Sequence, residues 1–298
     1  MRKETHFRLE TYDLVLADID SVDLDKLHAL SVGVGWPHRR DDWQALRGAG
    51  RGFAALDKIG RIVGSAMWFP YGQDYATVGM VITSPRLQAF GAGRWLMDAV
   101  MAETGSRDLG LNATREARRL YRDLGFSIER AVYQRQGEVP EEFRQPGPVK
   151  GLLREIEPGD LSGLSALDRL AFPADRATLL DALLEISAGT ALVRDGRIVA
   201  FSLCRPFGRG HVIGPVIAEN DADAIAVVAP HVARHAGGFL RIDTRQKESA
   251  FANFLGRCGL PVYDTVTTMS LGRPYAPLES GESGGWPVVY GLASQTLG

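Results

Sequence analysis

The sequence repeats part of itself, and this repeat constrains the fold more than any other feature. Three segments of the first half return in the same order and at nearly the same spacing in the second half: residues 60–72 as 196–208, residues 78–82 as 213–217, and residues 124–126 as 258–260. Order and spacing are seldom kept together by chance, so the pattern indicates a duplicated fold.

The length of the chain and one proline-rich stretch predict how the two copies are joined. At 298 residues the chain is long enough for two domains of ordinary size. Residues 138–148 are rich in proline and charged side chains, as linkers are. We therefore expect a first domain over residues 1–138, a linker over 139–150 and a second domain over 151–298. A final apolar run at 286–293 is expected to pair as a strand with one of the sheets.

Composition excludes several classes of protein. The formal net charge is −2 and no run of lysine and arginine occurs, which argues against nucleic acid or an anionic membrane as the main partner. No apolar run approaches the roughly 18 residues of a membrane span, and the start of the sequence lacks an apolar leader. We expect a cytoplasmic globular protein. Its two cysteines, Cys204 and Cys258, are interpreted as small core residues.

A glycine-rich turn at residues 85–94 (PRLQAFGAGR) follows the β-rich segment 76–83 and precedes an amphipathic helix. The N–H groups at a helix start lack intrahelical partners and, with the helix dipole, favour an anion. Gly91 and Gly93 allow the backbone to approach a phosphate without a Cβ clash. The turn therefore predicts a pyrophosphate site, with an ordinary glycine N-cap as the alternative. It matches neither the P-loop nor the dinucleotide fingerprint.

A second segment, residues 111–126 (LNATREARRLYRDLGF), is typical of a strand end, a helix that begins near Thr114 and a stop at Gly125. The order P-x-x-Q-x-x-G-x-G followed by L-x-A-T and L-Y-x-x-L-G-F resembles the GNAT acyl-CoA N-acyltransferase superfamily. Gln88, Gly91 and Gly93 occupy the defining positions of its pyrophosphate loop, and Tyr121 that of its helix tyrosine. Over nearly its full length the chain resembles the two-domain YitH-like acetyltransferases.

This resemblance implies an α+β protein with tandem GNAT folds, each a mixed, mostly antiparallel sheet flanked by helices. It further implies an enzyme that uses acetyl-CoA to transfer an acetyl group to the amine of a small molecule, by direct attack through a tetrahedral intermediate. Two alternatives stay open: a non-catalytic protein that binds or senses acyl-CoA, and an acetyltransferase that acts on protein amines.

The same resemblance assigns the cofactor site. Backbone N–H groups of Val81, Ile82 and Thr83 would lie beside the thioester carbonyl, and Gly79 in the same strand is consistent with a bulge or bend. The remaining cofactor residues are the loop, two positions at the end of the next strand and the helix tyrosine: Gln88, Ala89, Phe90, Gly91, Ala92, Gly93, Arg94, Asn112, Thr114 and Tyr121.

The catalytic residues are predicted less directly. Tyr121 is the candidate acid for the leaving thiolate, since a phenol with a reference pKa of about 10 stays protonated at neutral pH. His38 and Asp42 are the candidate bases, although a solvated position would also explain His38, as a helix cap would explain the neighbouring Asp41. Large rigid side chains suited to an acceptor pocket are Trp36, Trp43 and Tyr71.

The second copy lacks this chemistry. Ile217 is followed by residues 218–223 (AENDAD), which contain three acidic side chains and no glycine pair. The position that matches Tyr121 is Leu255. Because like charges would repel a phosphate, this copy should not bind acyl-CoA in the usual way. It is interpreted as a scaffold, a dimerisation surface of a homodimer or a wall of the acceptor pocket. His231 and His235 have a helical metal-ligand spacing but no third ligand nearby, so we predict no metal site.

Overall fold

The computed structural model describes residues 6–9, 12–88, 90–275 and 285–298. Contacts between residues divide the chain into two compact units. The first unit contains the residues up to 109 together with the turn at 207–209, and the second contains residues 110–206 and 210–298.

The first unit is an antiparallel sheet with helices. Its strands are β1 (His6–Leu9), β2 (Tyr12–Asp18), β3 (Arg51–Leu56), β4 (Ile62–Tyr71) and β5 (Tyr75–Thr83), and its helices are α1 (Leu24–Gly33), α2 (Arg40–Ala49) and α3 (Ala92–Thr104). The strands lie in the order in which they occur in the chain, each antiparallel to the next. Most side chains of β4 and β5 are buried, because α1 and α3 pack against this part of the sheet.

Strand β5 carries a bulge beside the glycine singled out in the sequence. Ser65 of β4 lies opposite Ile82 and Met67 lies opposite Gly79, so β5 has one extra residue between these pairs. Met80 adopts a left-handed conformation with φ of 51°, and its carbonyl oxygen accepts a hydrogen bond of 2.8 Å from Ser65 Oγ. The predicted bulge is confirmed, one residue after Gly79. A bulge disrupts the ladder locally, here at Met80 and Val81.

The second unit contains the rest of the secondary structure. Its strands are β6 (Asp108–Ala113, whose first two residues belong to the first unit), β7 (Ser127–Glu138), β8 (Leu152–Glu155), β9 (Ala188–Arg194), β10 (Arg197–Phe207), β11 (Gly210–Ala218), β12 (Phe239–Thr244), β13 (Val262–Leu271) and β14 (Val288–Gly291). Its helices are α4 (Arg118–Asp123), α5 (Leu161–Ala171), α6 (Ala177–Leu184), α7 (Asp221–Arg234) and α8 (Ala250–Arg257). Helix α4 begins at Arg118, later than predicted, because residues 115–117 form a turn.

The strand order of the second unit is β6-β13-β7-β12-β11-β10-β9-β8, and β14 pairs with β11. Strands β11 and β12 are parallel, whereas β7 is antiparallel to both β12 and β13. The sheet is therefore mixed and mostly antiparallel, which confirms the predicted α+β fold class. The compact units differ from the predicted domains because β7, which belongs to the first repeat, pairs with β12 and β13, which belong to the second repeat. The limits 1–138, 139–150 and 151–298 stay a prediction about the two repeats.

The core of the second unit lies between the sheet and helices α7 and α8. Both cysteines are in it as free thiols, as predicted, and burial raises the pKa of each to about 12. The final strand predicted at 286–293 is also confirmed: it is β14, which pairs with β11. Among the described residues no helix is long and apolar enough to span a membrane.

Candidate active site

The glycine-rich turn joins β5 to α3. After Thr83 the chain makes a short 3-10 turn at residues 85–87, and Gln88 Nε2 donates a hydrogen bond of 3.3 Å to the Thr83 carbonyl. Gly91 is the N-cap of α3, with a left-handed φ of 86°. A side chain at this position would be strained, which explains why a glycine stands there. Ala89 lies outside the described residues, and Phe90 is 52% exposed.

The N-terminus of α3 is suited to an anion. Within the described part of this turn, no side chain caps the helix and the first helical turn contains no acidic residue. The N–H groups at the start of α3, from Ala92 to Arg94, are therefore available to a ligand, and the helix dipole adds to their attraction for negative charge. Arg94 is exposed, with its guanidinium 3.9 Å from Asp98.

The equivalent helix of the second repeat, α7, begins differently. Asn220 is its N-cap and accepts a hydrogen bond of 3.0 Å from the Asp223 N–H. Asp221 and Asp223 place two carboxylates in the first turn, and that of Asp223 forms a salt bridge with Arg194. Because the Asp223 N–H is capped and the first turn carries two carboxylates, the N-terminus of α7 does not suit a phosphate.

Tyr121 lies in α4, with its ring edge-on to Phe126 at a centroid distance of 5.9 Å. The side chain is 5% exposed, and burial raises the pKa of its hydroxyl well above the usual range. The hydroxyl therefore stays protonated at neutral pH. A protonated hydroxyl is what the predicted donor to a thiolate requires.

The side-chain amide of Asn112 makes two hydrogen bonds to other residues of the protein. Its Nδ2 donates to the Gln295 carbonyl at 2.8 Å, and its Oδ1 accepts from Thr268 Oγ1 at 2.8 Å. A cofactor contact through this amide would compete with both bonds, so the structure gives Asn112 a bracing role within the second unit. Thr114 is half-buried just after β6.

An aromatic cluster forms around His38. The His38 ring lies 5.7 Å from that of Trp36 and meets the ring of Phe207 edge-on at 5.4 Å. Phe207 is the last residue of β10 and, together with the turn residues 208 and 209, belongs to the first unit. Sequence reasoning did not select Phe207. The signal was available, because Phe207 is the counterpart of Tyr71 in the repeat.

Asp42 holds this arrangement together. Its carboxylate accepts hydrogen bonds from the Arg39 N–H at 2.7 Å, from the Arg39 guanidinium and from the Gly208 N–H at 2.9 Å. It thereby caps α2 and fixes the turn that carries Phe207. Since both oxygens are engaged and the side chain is buried, Asp42 is better suited to positioning than to accepting a proton from a substrate.

The structure places the other two predicted acceptor residues inside the protein. Trp43 is fully buried and its Nε1 donates to Ser31 Oγ at 2.7 Å, so it packs α2 against α1. Tyr71 is 3% exposed and its hydroxyl accepts from Thr77 Oγ1 at 3.3 Å. Of the three side chains predicted to line an acceptor pocket, only Trp36 is half-buried and in the aromatic cluster.

The two histidines with metal-ligand spacing face different partners. His231 Nε2 lies 3.0 Å from Ser202 Oγ, while the His235 ring stacks on His211 at 3.9 Å. Across the part of the chain that the structure describes, no three His, Cys, Asp or Glu side chains are grouped as metal ligands.

Comparison with known proteins defines the class. Residues 49–128 match a family described as an Acetyltransferase (GNAT) domain, and residues 164–282 match a second family of the same description. The first match includes β5, the glycine-rich turn and Tyr121. The chain is therefore a two-domain GNAT protein, an enzyme of the acetyltransferase class.

One relative spans almost the whole chain. The chain is 26% identical over 293 residues to the uncharacterized N-acetyltransferase YitH of Bacillus subtilis (strain 168), covering 94% of this chain and 100% of that protein.

Solved structures agree on the fold. A putative acetyltransferase from Pyrococcus horikoshii superposes with a TM-score of 0.76 at 18% identity, over 100% of this chain and 99% of that one. A tandem GNAT protein from the clavulanic acid biosynthesis pathway superposes with a TM-score of 0.60 at 14% identity, over 89% and 99%.

Proposed function

We propose that this acetyltransferase uses acetyl-CoA as its donor and the amine of a small molecule as its acceptor. The observation that carries the proposal is the contrast between two equivalent helices. Helix α3 begins after a left-handed Gly91 with uncapped donors, whereas α7 begins at a side-chain cap among carboxylates. The repeat that keeps the glycine loop is thus the one that also keeps Tyr121.

In this proposal the diphosphate of acetyl-CoA is bound by the N–H groups at the start of α3. The backbone of Val81, Ile82 and Thr83, just after the bulge at Met80, donates to the thioester carbonyl. Such donors stabilise the negative charge that develops on the oxygen as the amine attacks. The bulge leaves Met80 and Val81 outside the regular pairing with β4, which supports this role for Val81. Ile82 and Thr83 stay opposite Ser65 and Gly64, so their role rests on the family resemblance.

Two proton transfers accompany the reaction. The amine loses a proton to a base, and the leaving thiolate gains one, for which we propose the buried Tyr121 hydroxyl. His38 is the candidate base that the geometry favours over Asp42, whose oxygens are engaged by Arg39 and Gly208. We propose that the acceptor contacts the aromatic cluster of Trp36, His38 and Phe207.

A matched pair of glycine variants tests the cofactor site. Gly91 and Gly105 stand at opposite ends of α3, and both have positive φ. Gly91→Val should weaken acetyl-CoA binding by calorimetry at least about tenfold, because a branched side chain both strains the turn and blocks approach to the N–H groups. Gly105→Val carries similar strain, has open space around it, and should leave the affinity unchanged. Equal affinities for the two variants would refute the assignment.

Turnover separates the proposal from its alternatives. Release of free thiol from acetyl-CoA should depend on an added small amine when a library of amines is screened. Binding without turnover on any amine or peptide would favour a sensing protein. Turnover confined to peptide or protein amines would favour the protein acetyltransferase.

A further inference from the structure

The second repeat contains its own cleft, and the chain fills it. Strands β11 and β12 pair at their starts, where His211 lies opposite Leu240 and Val212 opposite Arg241. Toward the other end of β11, β14 takes over the pairing, with residues 216–218 opposite residues 288–291. Just after β14, the Leu292 N–H donates a hydrogen bond of 2.8 Å to the Asp243 carbonyl of β12. The segment 288–292 thus bridges the two strands where they separate.

The packing of this segment is close on both sides. A Cβ added at Gly291 would lie 2.9 Å from Val216 Cγ2 of β11 and 3.3 Å from Ile242 Cδ1 of β12. A Cβ added at Gly214 would overlap the Leu292 carbonyl. Both positions are therefore restricted to glycine by the space between the strands.

The sequence repeat relates this bridge to the proposed cofactor site of the first repeat. Residues 216–218 are the counterparts of Val81, Ile82 and Thr83, the backbone proposed above to receive the acyl-pantetheine arm. We infer that residues 288–292, the plug segment, occupy in the second fold the place that this arm takes in the first, so that each chain binds a single acetyl-CoA. The inference rests on the proposed function. A peptide can replace the pantetheine arm because both present amide groups along an extended chain.

The plug segment is fastened by the residues that follow it. Gln295 Nε2 donates to Asp243 Oδ1 and to Gln134 Oε1, both at 3.1 Å. The Gly298 carbonyl accepts a hydrogen bond of 2.6 Å from the buried Arg176, whose guanidinium is also paired with Asp168. These bonds hold the segment in the cleft, and the capped N-terminus of α7 offers no phosphate site beside it.

Hydrogen exchange of the full chain tests the inference with and without acetyl-CoA. In the free protein, the amides of residues 216–218 should exchange at least about tenfold more slowly than those of residues 81–83. Addition of acetyl-CoA should slow exchange at 81–83 and leave 216–218 unchanged. Equal exchange of the two segments in the free protein would overturn the inference, and so would slowing at 216–218 on addition of acetyl-CoA.

A variant and a titration complete the test. Gly291→Val should loosen the plug and speed exchange at 216–218, whereas Gly256→Val, in open space on α8, should not. Unchanged exchange in Gly291→Val would contradict the plug, and if that variant does not fold, the wild-type exchange pattern still decides. Calorimetry should give one acetyl-CoA per chain, and two would overturn the inference. No binding at all would refute the proposed function, while the exchange of the free chain would still decide whether the cleft is closed.

Discussion

A buried histidine makes the stability of the second unit depend on pH. His231 of α7 is 2% exposed. The Ser202 hydroxyl donates its proton to the Val227 carbonyl at 2.7 Å. Ser202 Oγ can therefore only accept from His231 Nε2, 3.0 Å away, which assigns the imidazole proton to Nε2. Burial, helped by nearby Arg234, lowers the pKa of His231 from 6.5 to about 4. The folded chain thus keeps the imidazole neutral where the unfolded chain protonates it.

The sign of the effect follows from proton binding. Below pH 6.5 the unfolded state binds more protons than the folded state, so the contribution of His231 is complete above pH 6.5 and is lost as pH falls toward 4. At about 1.4 kcal/mol per pKa unit, the loss amounts to about 2 kcal/mol at pH 5 and about 3 kcal/mol below pH 4.

Urea unfolding at pH 7.5 and pH 5, followed by circular dichroism, measures this loss. His231→Gln keeps a side-chain N–H donor but does not titrate, so between the two pH values it should lose about 2 kcal/mol less stability than the wild type. His28→Gln, at a partly exposed position of α1, is the control and should follow the wild type. Identical pH dependence in wild type and His231→Gln would refute the reasoning.

Further predictions concern the active site and the two repeats. Tyr121→Phe should leave the Kd for acetyl-CoA unchanged and lower kcat by about 100-fold, as expected for a lost general acid; unchanged kcat would exclude that role. Phe207→Ala should raise the acceptor KM about tenfold through the lost aromatic contact without changing acetyl-CoA binding, and an unchanged acceptor KM would remove it from the site. Asp42→Asn should cost about 1–2 kcal/mol of stability in urea unfolding through the weakened cap, whereas a large loss of kcat at full stability would instead favour a base. The fragment 151–298 should show no cooperative unfolding by circular dichroism, because it lacks β7 between β12 and β13; a cooperative transition would contradict this.

The sequence predicts well those features of the fold that depend only on a short segment. Gly91 needs a left-handed backbone, and the bulge next to Gly79 depends on a few neighbouring residues, so both leave a local signature. The repeat likewise predicts that the fold is duplicated, because it compares segments that form the same local structure. Trp43 shows the limit of such reasoning. Its residue type suits a pocket and a core equally, and only its bond to Ser31 places it in the core.

Contacts between distant segments leave no such signature. The alternation of side chains in β7 does not indicate whether its neighbour is a strand of the same repeat or of the other. Phe207 similarly reaches His38 only through a turn that Asp42 holds from far along the chain. The amide of Asn112 could not be assigned from sequence either, because its partner Gln295 lies in the last residues of the chain.

The strand order gives the second repeat a structural role that is independent of cofactor binding. Strand β13 of the second repeat corresponds to β7 of the first, and β12 corresponds to β6. In the order β6-β13-β7-β12, β13 lies between two strands of the first repeat, and β7 lies between two strands of the second repeat. Strand β13 therefore borders β6, and its Thr268 holds Asn112 just ahead of the helix that carries Tyr121. Because the second repeat supplies this strand, its loss would expose an edge of β6 and release the segment leading to Tyr121. The second fold thus serves the first through backbone pairing, a role that needs no cofactor of its own.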